Sequence, residues 1–259
     1  LRIAACIEYD GTHFCGWQTQ VGARTVQAEV EQALSRVADT PLRVVCAGRT
    51  DTKVHATGQI VHFDTPVDRP ERAWVLGGNV HLPADVSLKW AKPVAAGFHA
   101  RFSADHRAYR YIFANTWTRP TLLRERVAWF HRTLDIERMQ TGARHLLGEH
   151  DFTSLRAVAC QAKTPVRQIH SLQVRRSGDF VYIDVVANAF LHHMVRNIAG
   201  MLLAVGSGEH PPDWIRAVLA ARDRRLAGVT APPQGLYLVQ VGYDADFGLP
   251  TAAYWPCFG

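Results

Sequence analysis

The stretch Leu42-Arg43-Val44-Val45-Cys46-Ala47-Gly48-Arg49-Thr50-Asp51-Thr52-Lys53-Val54-His55-Ala56 joins a β-like run to a loop led by glycine. A second strand-like run, Gln59 to Asp64, follows it. The loop therefore connects two strands, and glycine lets it turn tightly. The turn gathers a guanidinium, a hydroxyl and a carboxylate in one short arc. An arginine beside a carboxylate lowers its pKa by about 1–3 units and keeps it ionised. Such an anion can attack carbon, accept a proton or pair with a base edge. Asp51 can equally do no more than cap a turn.

Working outward, the same order of elements occurs twice. Arg2 to Tyr9 reads as a strand, and Thr25 caps a helix whose Val26, Val30, Leu34 and Val37 share a face. The two strands around the Asp51 loop come next, then a short helix from Pro70 to Gly77 and a closing strand from Val86 to Lys92. The second half opens with the strand Arg107 to Ala114. An arginine-rich connection leads to a helix from Asp135 to Leu147, with Ile136, Met139 and Leu146 towards the core. Val166 to Arg176 and Phe180 to Ala187 pair across Ser177-Gly178-Asp179. Helices from Ala189 to Val205 and Pro211 to Ala221 precede the strand Leu236 to Tyr243. Each half is β-α-β-β-α-β, the ferredoxin-like unit shared by RNA-recognition motifs. The class is α+β, with halves 1–104 and 105–259. Side by side, their sheets would form one mainly antiparallel platform with a central cleft.

The composition is that of a soluble globular chain: 47% hydrophobic and 20% charged, with a net charge of +6. Only Lys53, Lys89, Lys92 and Lys163 are lysines among the 29 basic residues. Arginine forks match phosphate oxygens and stack on bases, so this balance suits an RNA partner. Arg107, Arg110, Arg167, Arg175 and Arg176 are the candidates for a basic track, although alternating arginines also serve as solubilising surface. The five cysteines contain no Cys-x-x-Cys pair, so neither a disulfide framework nor a zinc site is expected. No membrane span or signal peptide is expected either, and a reducing cytoplasm is the natural setting.

Tyr109 shares a strand face with Arg107, Tyr111 and Phe113, either as one of a row of core aromatics or as a surface for a base. On the helix expected from Ala189, Arg196 lies opposite the apolar face, beside His192, Ala199 and Gly200. Small neighbours there leave room for a close approach, and a solvated helix face is the plainer alternative. His192 and His193 would point to different sides of that helix and share no metal. Gly206-Ser207-Gly208 follows a helix rather than a strand, which excludes a dinucleotide fingerprint, and there is no phosphate-binding loop.

Taken together, several strings resemble the tRNA pseudouridine synthase A family. They are Glu8-Tyr9-Asp10-Gly11, Gly16-Trp17-Gln18, Gly48-Arg49-Thr50-Asp51 with Val54-His55-Ala56, and Phe98-His99-Ala100-Arg101-Phe102-Ser103-Ala104. After them come Arg107-Ala108-Tyr109-Arg110-Tyr111, Phe190-Leu191-His192-His193-Met194-Val195-Arg196-Asn197 and Gly235-Leu236-Tyr237-Leu238. They stand in the family's order from about residue 3 to about residue 243. One departure is Thr52-Lys53, where the family usually has Ala-Gly. It removes a glycine and adds a positive charge near the aspartate.

The resemblance implies the pseudouridine synthase fold and isomerisation of uridine to pseudouridine in the anticodon stem-loop of tRNA, at positions 38, 39 and 40. It further implies a homodimer with no metal or nucleotide cofactor. Asp51 would be the nucleophile, acting first on C6 of the base, on C1′ of the ribose or on a 2′ proton. Tyr109 would stack on the uracil, Arg196 would pair with Asp51, Leu236 would pack beneath the base, and Arg49 would help hold the nucleotide out of the stack. A non-catalytic RNA-binding module and an inactive relative spoiled by Thr52-Lys53 are the alternatives. The first would carry a ribonucleoprotein-type aromatic string, which is absent.

Overall fold

The computed structural model describes all of residues 1–259. In chain order the elements are β1 (Arg2–Tyr9), α1 (Val26–Ala38), β2 (Val45–Cys46), β3 (His55–Asp64), α2 (Glu71–His81), β4 (Val86–Val94) and β5 (Ala104–Ala114). There follow β6 (Ala128–Trp129), α3 (Ile136–Arg144), β7 (Gly148–Asp151), β8 (Val166–Ser177), β9 (Phe180–Ala187), α4 (Met194–Gly206), α5 (Trp214–Ala221) and β10 (Leu236–Tyr243). The fold is α+β. Two units divide the chain, the first Leu1–Asp105 with Tyr237–Pro256, the second His106–Leu236 with Cys257–Gly259.

In the first unit β1 pairs antiparallel with both β3 and β4. The far edge of β3 is shared. β2 takes Val61 and His62, and β10 runs parallel to β3 through Tyr237↔His55 and Leu238↔Ala56. This pairing draws Tyr237–Pro256 into the first unit, although the repeat pattern places it with residues 105–259. β3 begins at His55 rather than at Gln59, and the strand before the loop shrinks to Val45–Cys46. Helix α1 buries Val26, Val30, Ala33 and Leu34, as its spacing predicts. Helix α2 runs one turn past Gly77, its expected end. Asn79, in that extra turn, ties itself to β4 by accepting from Leu88 N at 2.8 Å and donating to Leu88 O at 2.9 Å.

In the second unit β5 pairs with β9 from Arg107↔Ala187 to Ala114↔Phe180. β9 pairs with β8, and β8 with β7, all antiparallel. Every residue of β5 from Arg107 to Ala114 is buried, so both faces of this strand are covered. Helix α3 starts at its Asp135 cap, whose carboxylate accepts from Arg138 N at 3.0 Å. The Ser177–Asp179 hairpin forms as expected, with Gly178 at φ +51°. Helix α4 starts five residues later than its pattern suggests. His193 takes φ +64°, which an α-helix cannot accommodate, so residues 189–193 form a loop before it.

The last residues, whose docking is not decided by their sequence, are held down. Thr57 Oγ1 donates to Tyr254 O at 2.6 Å and Gln240 Nε2 to Thr251 O at 3.1 Å in the first unit. In the second, Phe258 N donates to Tyr182 Oη at 2.9 Å and Ser177 Oγ to Gly259 O at 3.0 Å. No helix is long and apolar enough to cross a membrane.

The string Phe98–Ala104 is a structural turn. His99 Nδ1 accepts from Arg101 N at 3.1 Å and Phe102 N at 3.2 Å, and Phe98 is buried against Tyr243 and Phe247. Beside it, buried His62 accepts from Ala100 N at 3.1 Å through Nδ1. Burial above all, with repulsion from His99 and Arg2, lowers the His62 pKa to about 4. The unfolded chain, with His62 near its ordinary value of about 6.5, then binds the extra proton between pH 6.5 and 4. Stability is fully present above that window and falls as the pH drops through it, by up to about 3 kcal/mol. Urea titrations across pH 4–7 should show this slope, and His62→Asn, which keeps an acceptor for Ala100, should flatten it.

Candidate active site

Asp51 is half-buried at the centre of a loop that the first unit fastens at nearly every residue. Trp17 N donates to Thr50 O at 3.0 Å, and Tyr9 Oη lies 2.7 Å from Thr50 Oγ1. Val54 N returns to Asp51 O at 3.1 Å, and Lys53 N reaches Phe14 O at 3.4 Å. Upstream, Gln59 Nε2 donates to Gly48 O at 2.5 Å. Two glycines lie flat against this backbone. A Cβ on Gly11 would sit 2.1 Å from Val54 O, and one on Gly16 would sit 2.7 Å from Thr50 O. Residues some 40 positions earlier thus form the bed of the loop. Arg49 and Asp51 share the arc as expected, Arg49 being exposed.

The bed carries its own histidine–carboxylate contact, which the sequence reading passed over. His55 Nδ1 stands 3.0 Å from both Gly11 N and Asp10 Oδ1, and the ring is buried and stacked on Tyr237 at 4.7 Å. Burial pushes the Asp10 carboxyl upward. Hydrogen bonds from His55, and from the Thr12 hydroxyl and amide, outweigh that effect and hold it well below the usual carboxylate range. The signal available in the sequence was Asp10 directly before Gly11, inside the string Glu8-Tyr9-Asp10-Gly11.

The second unit places Tyr109, Arg196 and Leu236. Tyr109 lies on β5, 8% exposed, edge-on to Phe190 at 5.0 Å. Its strand neighbour Tyr111 is fully buried and donates to Pro232 O at 2.6 Å, and burial pushes its phenol far above the ordinary range. Leu236 opens β10, 6% exposed. Arg196 is half-buried on α4, where its Nε donates to Ala231 O at 2.8 Å and its carbonyl accepts from Ala231 N at 3.1 Å. The room that its small neighbours leave is filled by the chain itself. A Cβ on Gly200 would meet Val229 O at 2.0 Å. His192 is no neighbour of Arg196 on the helix, because it precedes α4. His192 and His193 are not turned apart either, their ring centroids being 4.0 Å from one another.

The candidate track of arginines is not an exposed row. Arg107 is buried and donates to Asn188 O at 2.9 Å. Arg110 is buried and forms a two-pronged pair with Asp184, both distances 2.6 Å, while lying over Tyr182. Alternation predicts exposure for one face of a strand, but both faces of β5 are packed. Arg175 also lies over the Tyr182 ring, at 4.3 Å. Arg176 donates to Asn115 Oδ1 at 2.8 Å and Leu134 O at 3.1 Å. Arg167 turns back on its own strand entry, donating to Thr164 O at 2.9 Å.

A family model described as tRNA pseudouridine synthase matches residues 5–103 and 143–244. Curated relatives named tRNA pseudouridine synthase A include one from Legionella pneumophila (strain Corby), 58% identical over 96% of this chain and 95% of that protein. Others come from Shewanella amazonensis, 55% identical over 100% of this chain and 99% of that protein, and from Nitrosococcus oceani, 56% identical over 96% of each. This chain belongs to the tRNA pseudouridine synthase family. Both matched blocks hold candidate residues, Arg49 and Asp51 in the first, Arg196 and Leu236 in the second. Tyr109 and the buried arginines of β5 fall between the blocks. Within a synthase of this family, the glycine bed should matter as much as the aspartate it supports. Gly11→Ala should lower stability by about 1–3 kcal/mol. By shifting the loop on the order of 1 Å, it should also cut turnover about 100-fold. Thermal denaturation and a pseudouridine assay of the same sample would check both.

Proposed function

We propose that this chain isomerises uridine to pseudouridine in tRNA, in the anticodon stem-loop at positions 38, 39 and 40. It acts as a cytoplasmic homodimer and uses no metal or nucleotide cofactor. The observation that carries this reading is an aspartate on a loop fastened on both sides of it, in a chain more than half identical to relatives named tRNA pseudouridine synthase A. The reaction breaks the bond between N1 and C1′, turns the base, joins C1′ to C5, releases the C5 proton and leaves N1 protonated. No net charge is created and no electrons leave, so a nucleophile or base, a platform for the loose uracil and a proton acceptor suffice.

In this reading Asp51 is the nucleophile. Its carboxylate has to meet a reacting carbon or proton within a few tenths of an ångström, and the fastened backbone supplies that precision. Arg196, braced by Ala231, supplies the compensating positive charge. Tyr109 and Leu236 hold the uracil, ring stacking on a base being worth about 1–3 kcal/mol. Arg49 offsets part of the cost of extruding the nucleotide, a few kcal/mol. Arg107 and Arg110 brace β5, which carries Tyr109, rather than serving as exposed phosphate hooks.

Tritium release from tRNA labelled at C5 of uridine tests this directly. The wild type should release it and Asp51→Asn should not, while tRNA binding persists in both. Binding with no release from the wild type would leave a binding module or an inactive relative. Affinity should also fall with salt, with a log–log slope of about −5 if some six phosphates are engaged. A flat response would remove the basic surface from the account.

A further inference from the structure

We propose that His55 is a positioning residue for the isomerase reaction, its Nδ1 holding the glycine bed of the Asp51 loop in place. The proposal rests on the tRNA isomerase reading above and adds to it a buried residue just beyond the nucleophile in the chain.

His55 opens β3 and is 1% exposed, with its ring stacked on Tyr237 at 4.7 Å. Its two nitrogens differ in their surroundings. Nδ1 stands 3.0 Å from Gly11 N and 3.0 Å from Asp10 Oδ1, whereas Nε2 is buried with no hydrogen-bond partner. A buried polar atom without a partner carries a cost that a phenylalanine in the same space would not incur. Stacking and volume therefore do not account for a histidine at this position. What the imidazole adds is Nδ1, the nitrogen that has partners. In one tautomer it accepts from Gly11 N, and in the other it donates to Asp10 Oδ1. Either bond ties the chain leaving β1 to the first residue of β3.

That tie reaches Asp51 through two further contacts. Gly11 lies so close to Val54 that a Cβ on it would be 2.1 Å from Val54 O and 3.0 Å from the Lys53 carbonyl carbon. Val54 N in turn donates to Asp51 O at 3.1 Å. Gly11 held at His55 keeps its backbone seated against Val54. A Gly11 that drifts lets Val54 move, and Asp51 with it. A displacement on the order of 1 Å is enough to cost an enzyme about 100-fold in rate. His55 thus acts through Gly11 and Val54 rather than on the reacting atoms.

Three variants separate the two nitrogens from the ring. His55→Asn puts an amide where Nδ1 is, able to accept from Gly11 or donate to Asp10, and gives up the ring. His55→Gln carries its amide out to the position of Nε2. His55→Phe keeps the ring and its stack on Tyr237 but has neither nitrogen. Tritium release from tRNA labelled at C5 of uridine should show kcat lowered about 10–100-fold in His55→Phe and His55→Gln, with KM for tRNA unchanged. His55→Asn should recover most of that loss. A residue that only fills the core would give the reverse order, His55→Phe the most active and His55→Asn the least. A His55→Asn no more active than His55→Gln would overturn the proposal, as would wild-type kcat in His55→Phe or a loss confined to KM. Should His55→Phe fail to fold by circular dichroism, the comparison of His55→Asn with His55→Gln decides alone, since the two side chains differ by a single methylene. A wild type that binds tRNA but releases no tritium would instead defeat the isomerase reading on which the proposal rests.

Discussion

Backbone lies on backbone beneath the Asp51 loop, and only glycine permits it. At Gly11 the space for a side chain is already occupied by Val54 O, and at Gly16 by Thr50 O. The chain leaving β1 therefore presses directly on the loop between β2 and β3. Hydrogen bonds from Trp17 and Val54 then determine the path through Thr50, Asp51 and Lys53. A loop held only by its own turn would wander by more than an attacking carboxylate can tolerate. Pressed between a 3-10 turn and a strand, it behaves as part of the sheet. The Asp10–His55 pair sits underneath, joining the first residue of β3 to the end of β1.

The arginines of this chain do two kinds of work, and burial separates them. Arg110 is neutralised by Asp184 and Arg107 is bonded to a backbone carbonyl, so both side chains are engaged inside the protein. A planar, always-charged fork is the side chain best suited to such dry positions. Arg49 is exposed on the loop that carries Asp51. The positive charge available to an acidic polymer is therefore smaller than composition suggests. Part of it lies close to the residue that would do the chemistry.

Much of this was legible in the residues. Strand β1, helix α1, the β8–β9 hairpin and β10 follow from periodicities of 2 and 3.6 with glycine or polar residues at their ends. The Asp51 loop was legible as a loop between strands, and the family strings placed the candidate residues in order. What misled was local reading at places governed by distant partners. The helix expected to end at Gly77 runs on to His81, its last turn tied to β4 by Asn79. His192 reads as helical, yet His193 at positive φ starts the helix later. β6 and β7 are too short to show any period.

The amino-acid sequence by itself determined the α+β class, the repeated β-α-β-β-α-β order, the family and the place of Asp51 in a loop. Each of these is written in neighbouring residues, through spacing, turn chemistry or a string of side chains. Only the tertiary structure decided that Asp10, Gly11, Gly16 and Trp17 make the bed of that loop, that Tyr237–Pro256 joins the first unit, and that β5 is packed on both faces. It also decided that Lys53 holds a left-handed backbone. These depend on which distant segments come within van der Waals reach, and sheet register and close backbone approach are set by the whole packed unit rather than by any stretch of it.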